Sequence, residues 1–261
     1  MQPDIHLGGL TLKTFGLSFA LAWVAVGLLA ARRLRELGKP TDYAYEIVFA
    51  ALAGGLVGSR LYYVVENYDR VKDDLLGGLF GGTGLVWYGG VIGGALAVLA
   101  WARWRGLLDL GLLDFCAPLL ALGNALGRIG CQVSGDGDYG ISSGLPWAMG
   151  YPHGQVPTPP GVTVHPTPIY ETLALGLIAL WLWRARDRFR PGVVFAWYLV
   201  LAGLERLLVE FIRRNPEAVA GLTTPQLESI ALVAAGAAWL VLAGRRGGLS
   251  SIRPLSPSTP P

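Results

Sequence analysis

Apolar residues fall in seven blocks along the chain, at about 12–31, 44–66, 85–103, 107–128, 168–184, 191–212 and 226–244. Each block is near the roughly 20 residues that a helix needs to cross a bilayer. The second and fourth carry charged residues within their limits. Backbone polar groups in lipid must be satisfied within the segment, so blocks of this length predict helices and not open strands. The expected fold is all-α, a polytopic membrane protein of about seven transmembrane helices. One membrane domain occupies residues 1–246, with a loop at 129–167 after the fourth span. The stretch 247–261 is rich in Ser and Pro and predicts a disordered tail.

Composition agrees with that pattern. The 261 residues are 52% hydrophobic and only 15% charged, which excludes an ordinary soluble domain. The net charge of +3 matters less than its placement. Basic residues following the first, third, fifth and seventh blocks number thirteen, from Arg32 to Arg253; those following the second, fourth and sixth number four. The basic-rich side is cytoplasmic, so the N-terminus is expected outside and the C-terminus, with its tail, inside. The bias is one of topology, and no nucleic-acid partner is implied. The opening "MQPDIHLGG" has no basic region before the first block, which predicts an uncleaved first span. Cys116 and Cys131 are separated by 15 residues, about 22 Å along one helix, too far for a mutual disulfide.

Three arginines remain outside the topological count: Arg60, Arg128 and Arg206. Each falls in or at the edge of a predicted span, toward the outer side. Snorkelling to the headgroups would explain one such residue. Three at one depth point to a shared anion site facing the bundle interior, since a charge in hydrocarbon costs at least a few kcal/mol. The planar arginine fork suits a phosphate. In "ERLLVEFIRR", Arg206, Glu210 and Arg213 are spaced i, i+4, i+7 and share a helix face. In "VWYGGVIGG", Trp87 fits an aromatic belt. Tyr88 stands beside Gly89 and Gly90, which permit close approach of a helix or ligand. "HPTPIYE" runs from His165 to Glu171 and places Tyr170 and Glu171 in the first turn of the fifth span, in the same outer layer.

These motifs, with "GRIGCQVSGDGDYG" from Gly127, "VGSRLYYVVENYD" and "TTPQLESI", occur in the order seen in prolipoprotein diacylglyceryl transferases, and the chain resembles that family over about residues 8–245. The resemblance implies a multi-pass protein of the bacterial inner membrane. It implies transfer of the diacylglyceryl group of phosphatidylglycerol to the lipobox cysteine thiol of a prolipoprotein signal peptide, with release of glycerol phosphate among membrane lipids. No cofactor or metal is implied. Arg128 matches the arginine of the family's G-R-x-G signature. Arg206 and Glu210 match the arginine and acid of the penultimate helix. His165 and Glu171 match the ends of the H-P-x-x-x-Y-E motif. Arg60, Gly89, Gly90, Glu171, Glu210, Tyr170 and Gln226 are expected to bind substrate, and Tyr88, Arg128, Arg206, His165 and Asp136 to act in catalysis.

The chain departs from the family pattern near the expected centre. Tyr88 stands where relatives carry a histidine. The signature continues Gly130-Cys131-Gln132-Val133-Ser134-Gly135-Asp136 in place of G-N-F-x-N-G-E. The first span opens Lys13-Thr14-Phe15-Gly16, and Pro168 replaces a glutamine. A thiol with an ordinary pKa near 8.5 must be ionised to attack. Tyr88, His165 and Asp136 are the candidate bases, and the arginines offer direct ionisation of the thiol as another route. Cys131 reads either as a small residue at a helix end or as a transient acceptor thiol. Two further readings stand beside the expected reaction: a related transferase with another acceptor, and an inactive member that binds lipid or a partner.

Overall fold

The computed structural model describes residues 3–7, 10–72 and 86–250. In chain order it contains β1 (Asp4–Leu7), β2 (Leu10–Lys13), α1 (Thr14–Glu36), α2 (Tyr43–Glu66), the one-turn α3 (Tyr68–Val71), α4 (Trp87–Arg105), α5 (Leu110–Ser134), α6 (Thr167–Ala185), α7 (Val193–Glu210), β3 (Glu217–Val219), β4 (Leu222–Thr223) and α8 (Thr224–Arg245). All seven apolar blocks are helical over most of their length. Four helices, α1, α2, α5 and α8, are long and apolar enough to cross a membrane. α7 falls outside that set because Glu205, Arg206 and Glu210 lie within its 18 residues.

The structure corrects the sequence reading at several element ends. Two short antiparallel hairpins, β1–β2 and β3–β4, accompany the helices. The first apolar block therefore begins in a strand: Leu12 pairs with Ile5 and Lys13 with Asp4, and the helix starts at Thr14. Thr14 holds this junction, donating from both its backbone N–H and its hydroxyl to the Pro3 carbonyl at 2.9 and 3.0 Å. The fourth block does not stop at Arg128. α5 continues to Ser134, and Gly135, at φ +61°, closes it with an N–H bond to the Cys131 carbonyl at 2.9 Å. A left-handed residue ends a helix readily only as glycine. At the other end of the chain, the predicted tail is tied down over its first residues. Arg190 N–H donates to the Leu249 carbonyl at 3.0 Å, and Phe189 forms a bridge with Ser250. The rest of that stretch, 251–261, lies outside the described residues.

The chain divides into two compact units, Gly27–Leu112 and the remainder. In the Gly27–Leu112 unit, α2 and α4 pack through small residues. Gly54 and Gly58 meet Gly89 and Gly93, and a Cβ on any of the four would strike the facing backbone. Spaced four apart on each helix, these glycines bring the two backbones together, a contact that gains dispersion energy where lipid offers no hydrophobic drive. Ser59 Oγ donates to the Val86 carbonyl at 2.8 Å at one end of the pair. At the other, Glu46 accepts from Trp101 Nε1 at 2.7 Å and from Arg105 Nε at 2.8 Å.

In the larger unit, Ala117 and Ala121 of α5, Ala179 and Leu182 of α6 and Val194 of α7 form a buried core. α7 and α8 approach at Gly203 and Gly236, where an added Cβ would lie 2.9 Å from Val233 Cγ2 and 2.7 Å from the Ala196 carbonyl. Asp114 of α5 reaches the start of α7, where its carboxylate accepts from Gly192 N–H at 2.7 Å and Phe195 N–H at 2.8 Å. A carboxylate on the unsatisfied N–H groups of a helix start also complements the helix dipole. Leu173 and Leu177 on α6 and Leu208 on α7 remain exposed, as expected of a surface that faces lipid.

Candidate active site: an arginine–carboxylate cluster

The polar stripe of α7 organises the site. Beyond Glu210 the chain keeps a helical turn, with Ile212 N–H on the Val209 carbonyl and Arg213 N–H on the Glu210 carbonyl. The i, i+4, i+7 relation of Arg206, Glu210 and Arg213 is thereby kept past the helix end. Glu171, in the second turn of α6, faces this stripe with a side chain only 1% exposed. Its Oε1 lies 3.2 Å from Arg206 Nη1 and 3.3 Å from Arg128 Nη2; its Oε2 lies 3.1 Å from Arg213 Nη1. One carboxylate thus joins three guanidinium groups from three chain segments.

Asp138 closes the cluster from the loop after α5. Its Oδ1 accepts from Arg213 Nη2 at 2.5 Å, and its Oδ2 pairs with Arg128 Nη1. Burial pushes the Asp138 carboxyl up, but Arg213 and Arg128 more than reverse this and hold it below the ordinary carboxylate range. Its backbone carbonyl accepts from Thr167 Oγ1 at 2.5 Å, which ties the loop to the first residue of α6. Glu210 is the third acid. Its Oε2 lies 3.0 Å from Arg206 Nη2, an ion pair without hydrogen-bond alignment. Its Oε1 accepts from Asn215 Nδ2 at 2.6 Å and Thr223 Oγ1 at 2.8 Å. Thr223 is also the N-cap of α8, in a capping box with Gln226. Gln226 is thus buried one residue behind the cluster, with its side-chain oxygen on Thr223 N–H.

The 135–166 stretch is ordered by its own contacts. Tyr139, Tyr151 and Val164 form a buried group, with the two tyrosine rings stacked at 4.7 Å. Tyr151 Oη donates to Gln132 Oε1 at 2.8 Å, and burial still pushes its phenol up to about 12. Gly140 fits where a side chain would strike the Ile212 carbonyl and lie 3.0 Å from His165 Cβ. Arg214 stacks over Tyr139, 4.2 Å from the ring centroid.

Among the expected site residues, the structure brings together Arg128, Arg206, Glu171 and Glu210. His165 and Tyr170 form a neighbouring pair, with Nδ1 and Oη 3.4 Å apart, and Trp147 Nε1 donates to the same phenol oxygen at 2.8 Å. Asp136 accepts from the Asp138 backbone N–H at 3.2 Å, shaping the turn that presents Asp138. Arg60, Tyr88, Gly89 and Gly90 belong to the Gly27–Leu112 unit. There Gly89 and Gly90 line the contact with α2, and Tyr88 is 37% exposed in the first turn of α4. Sequence reasoning missed Asp138 and underused Arg213, which it counted as a flanking charge. The seven-residue spacing from Arg206 was the available signal for Arg213. No periodicity marks Asp138, which sits in a loop.

Comparison with known proteins identifies the family. The family model for prolipoprotein diacylglyceryl transferase matches residues 4–242. A phosphatidylglycerol–prolipoprotein diacylglyceryl transferase of Clostridium tetani is 31% identical, over 90% of this chain and 95% of its own. Proteins of the same name from Methylobacillus flagellatus and Bordetella avium are 33% and 32% identical, each over 93% of this chain, covering 95% and 94% of theirs. The match runs through all the segments that carry the cluster, and the chain belongs to the prolipoprotein diacylglyceryl transferase family.

Proposed function

We propose that the protein transfers the diacylglyceryl group of phosphatidylglycerol to the cysteine thiol of prolipoproteins, and that the arginine cluster holds the phosphodiester. The observation that carries this reading is the state of Arg128. Its Nε is buried and has no hydrogen-bond partner among the described residues, although both Nη atoms are engaged. A buried guanidinium N–H beside two further arginines is a donor waiting for an anion, and a phosphate oxygen fits it. Family membership and the names of the relatives support the same reaction.

In that reaction the thiolate attacks the glyceryl carbon next to the phosphate. The carbon–oxygen bond breaks, its electrons pass to the phosphate oxygen, and glycerol phosphate leaves as the thioether forms. Charge grows on the leaving phosphate, and arginines already oriented by their carboxylate partners stabilise it more than water would. An arginine in contact with the incoming thiol favours its thiolate over the thiol. His165, beside Tyr170, and Asp136, beside Cys131, are proposed as proton acceptors on their sequence positions, and Tyr88 on its correspondence to the family's histidine. Arg60 is proposed as a further headgroup contact on the same basis. The seven long helices, the basic bias and the family support seven spans with the N-terminus outside, in the bacterial cytoplasmic membrane, acting on lipobox peptides. Purified protein, labelled phosphatidylglycerol and a lipobox peptide test the reading through the thioether product. Absence of that product from protein that still binds the lipid would overturn it.

A further inference from the structure

Glu205 precedes Arg206 on α7. It is 8% exposed, and its Oε1 is enclosed with no hydrogen-bond partner among the described residues. A buried carboxyl oxygen without a partner is costly to keep. The charged groups within its electrostatic reach are Glu171 on α6, Arg128 on α5, Arg206 on its own helix and Arg213 in the turn beyond it. Behind them stand Asp138 and Glu210, paired with those arginines.

The charge count within this group decides what Glu205 can do. Arg128, Arg206 and Arg213 are already matched by Asp138, Glu171 and Glu210. Glu205, if ionised, leaves one net negative charge. A phosphodiester, which stays a monoanion through the neutral range, brings another. Like charges sharing one buried site cannot all stay ionised. A single proton on Glu205 leaves the phosphodiester as the one unmatched charge and turns the carboxyl into a donor. Each of the three other acids has an arginine as its ion-pair partner; Glu205 has no ion pair among the described residues.

We infer that Glu205 is a further member of the headgroup site, which meets the bound phosphodiester as a neutral carboxyl donating its O–H to a phosphate oxygen, so that lipid binding takes up about one proton at any pH where Glu205 is ionised in the lipid-free protein. The inference rests on the reading of the arginine cluster as the headgroup site.

The experiment measures phosphatidylglycerol binding to the full-length protein in nanodiscs of a zwitterionic lipid. Calorimetry in buffers of different ionisation enthalpy gives the protons taken up per lipid bound. At alkaline pH, where Glu205 is ionised before lipid binds, the parent is expected to take up about one proton, with affinity falling up to about tenfold per pH unit. Glu205→Gln, which carries a permanent donor and no titration, is expected to bind lipid with uptake near zero and a flat pH profile. Glu205→Leu, without a donor, is expected to bind more weakly than Glu205→Gln by about tenfold, one charge-assisted hydrogen bond. Proton uptake near zero in the parent at alkaline pH, undiminished uptake in Glu205→Gln, or loss of binding in Glu205→Gln would each overturn the inference while Arg206→Ala still weakens lipid binding. Lipid binding indifferent to Arg206→Ala would overturn the headgroup reading, and the inference with it.

Discussion

Replacing Glu171 by glutamine removes one charge from the middle of the cluster and little else. The amide keeps the shape of the carboxyl but presents an NH2 group to one of the guanidiniums. Three contacts of 3.1–3.3 Å, to Arg128, Arg206 and Arg213, lose their counter-charge at once. Taking one partner from a buried ion pair costs about 3–5 kcal/mol. Asp138 and Glu210 still face the arginines, so the expected loss is about 3 kcal/mol, the low end of that range. For a chain of this length each kcal/mol shifts the melting temperature by about 2–4 °C, so Glu171→Gln should melt about 6–12 °C lower. Parent and variant are compared by thermal unfolding in one detergent, together with Arg213→Gln and the double variant. The double variant should be more stable than the sum of the two single losses predicts, because two arginines then face two acids. A shift below about 2 °C for Glu171→Gln, or additive losses in the double variant, would mean that the cluster is solvated and that Glu171 does not organise it.

Further outcomes follow from neighbouring residues. Arg128→Lys keeps the charge and loses the fork, so phosphatidylglycerol affinity in a vesicle-binding assay should fall about tenfold or more; full affinity would reduce the residue to a point charge. The Asp138 carboxyl is held below its ordinary value, so its stabilisation is complete above the unfolded value near 4 and is lost as pH falls through the lower folded value. Asp138→Asn should therefore lower stability at neutral pH and flatten the acid limb of a stability–pH curve. Tyr88→Phe should lower single-turnover rates more than lipid affinity, whereas equal rates would confine Tyr88 to packing. Gly93→Leu should prevent the close approach of α2 and α4, seen as loss of a disulfide engineered across that pair.

The helices were legible because apolar blocks near the length of a membrane span favour helix, and all seven such blocks are helical, four of them long and apolar enough to cross a membrane. Their ends were less legible. Arg128 looked like the edge of a span because charge usually marks one; here Asp138 and Glu171 neutralise it, and α5 runs on to Ser134. Half of the cluster could be read from α7 and the turn that continues it, where Arg206, Glu210 and Arg213 share a face. Glu205 could not, since it lies about 100° round the helix from Arg206. Asp138 could not either: its place is set by the turn at Asp136 and by the bond to Thr167, which arise only when the chain is folded. Departures from the family motif at 131–136 fall in the last turn of α5 and the turn after it.

α7 is anchored by charge at both extremities. Asp114 grips its first N–H groups, and Glu171 and Asp138 grip Arg206 and Arg213 near its end. The helix spans about 27 Å between these anchors. A rod fastened at both ends to α5, directly at one and through shared acids at the other, has no freedom to slide or turn about its long axis without breaking a buried ionic contact. Mechanically it is a strut, and the arginines it carries keep a fixed height along the bundle. Spin labels placed at the two ends of α5 and α7 should therefore report distances that do not change through a catalytic cycle. Whatever motion admits the lipid and the peptide belongs to segments that hang from this strut.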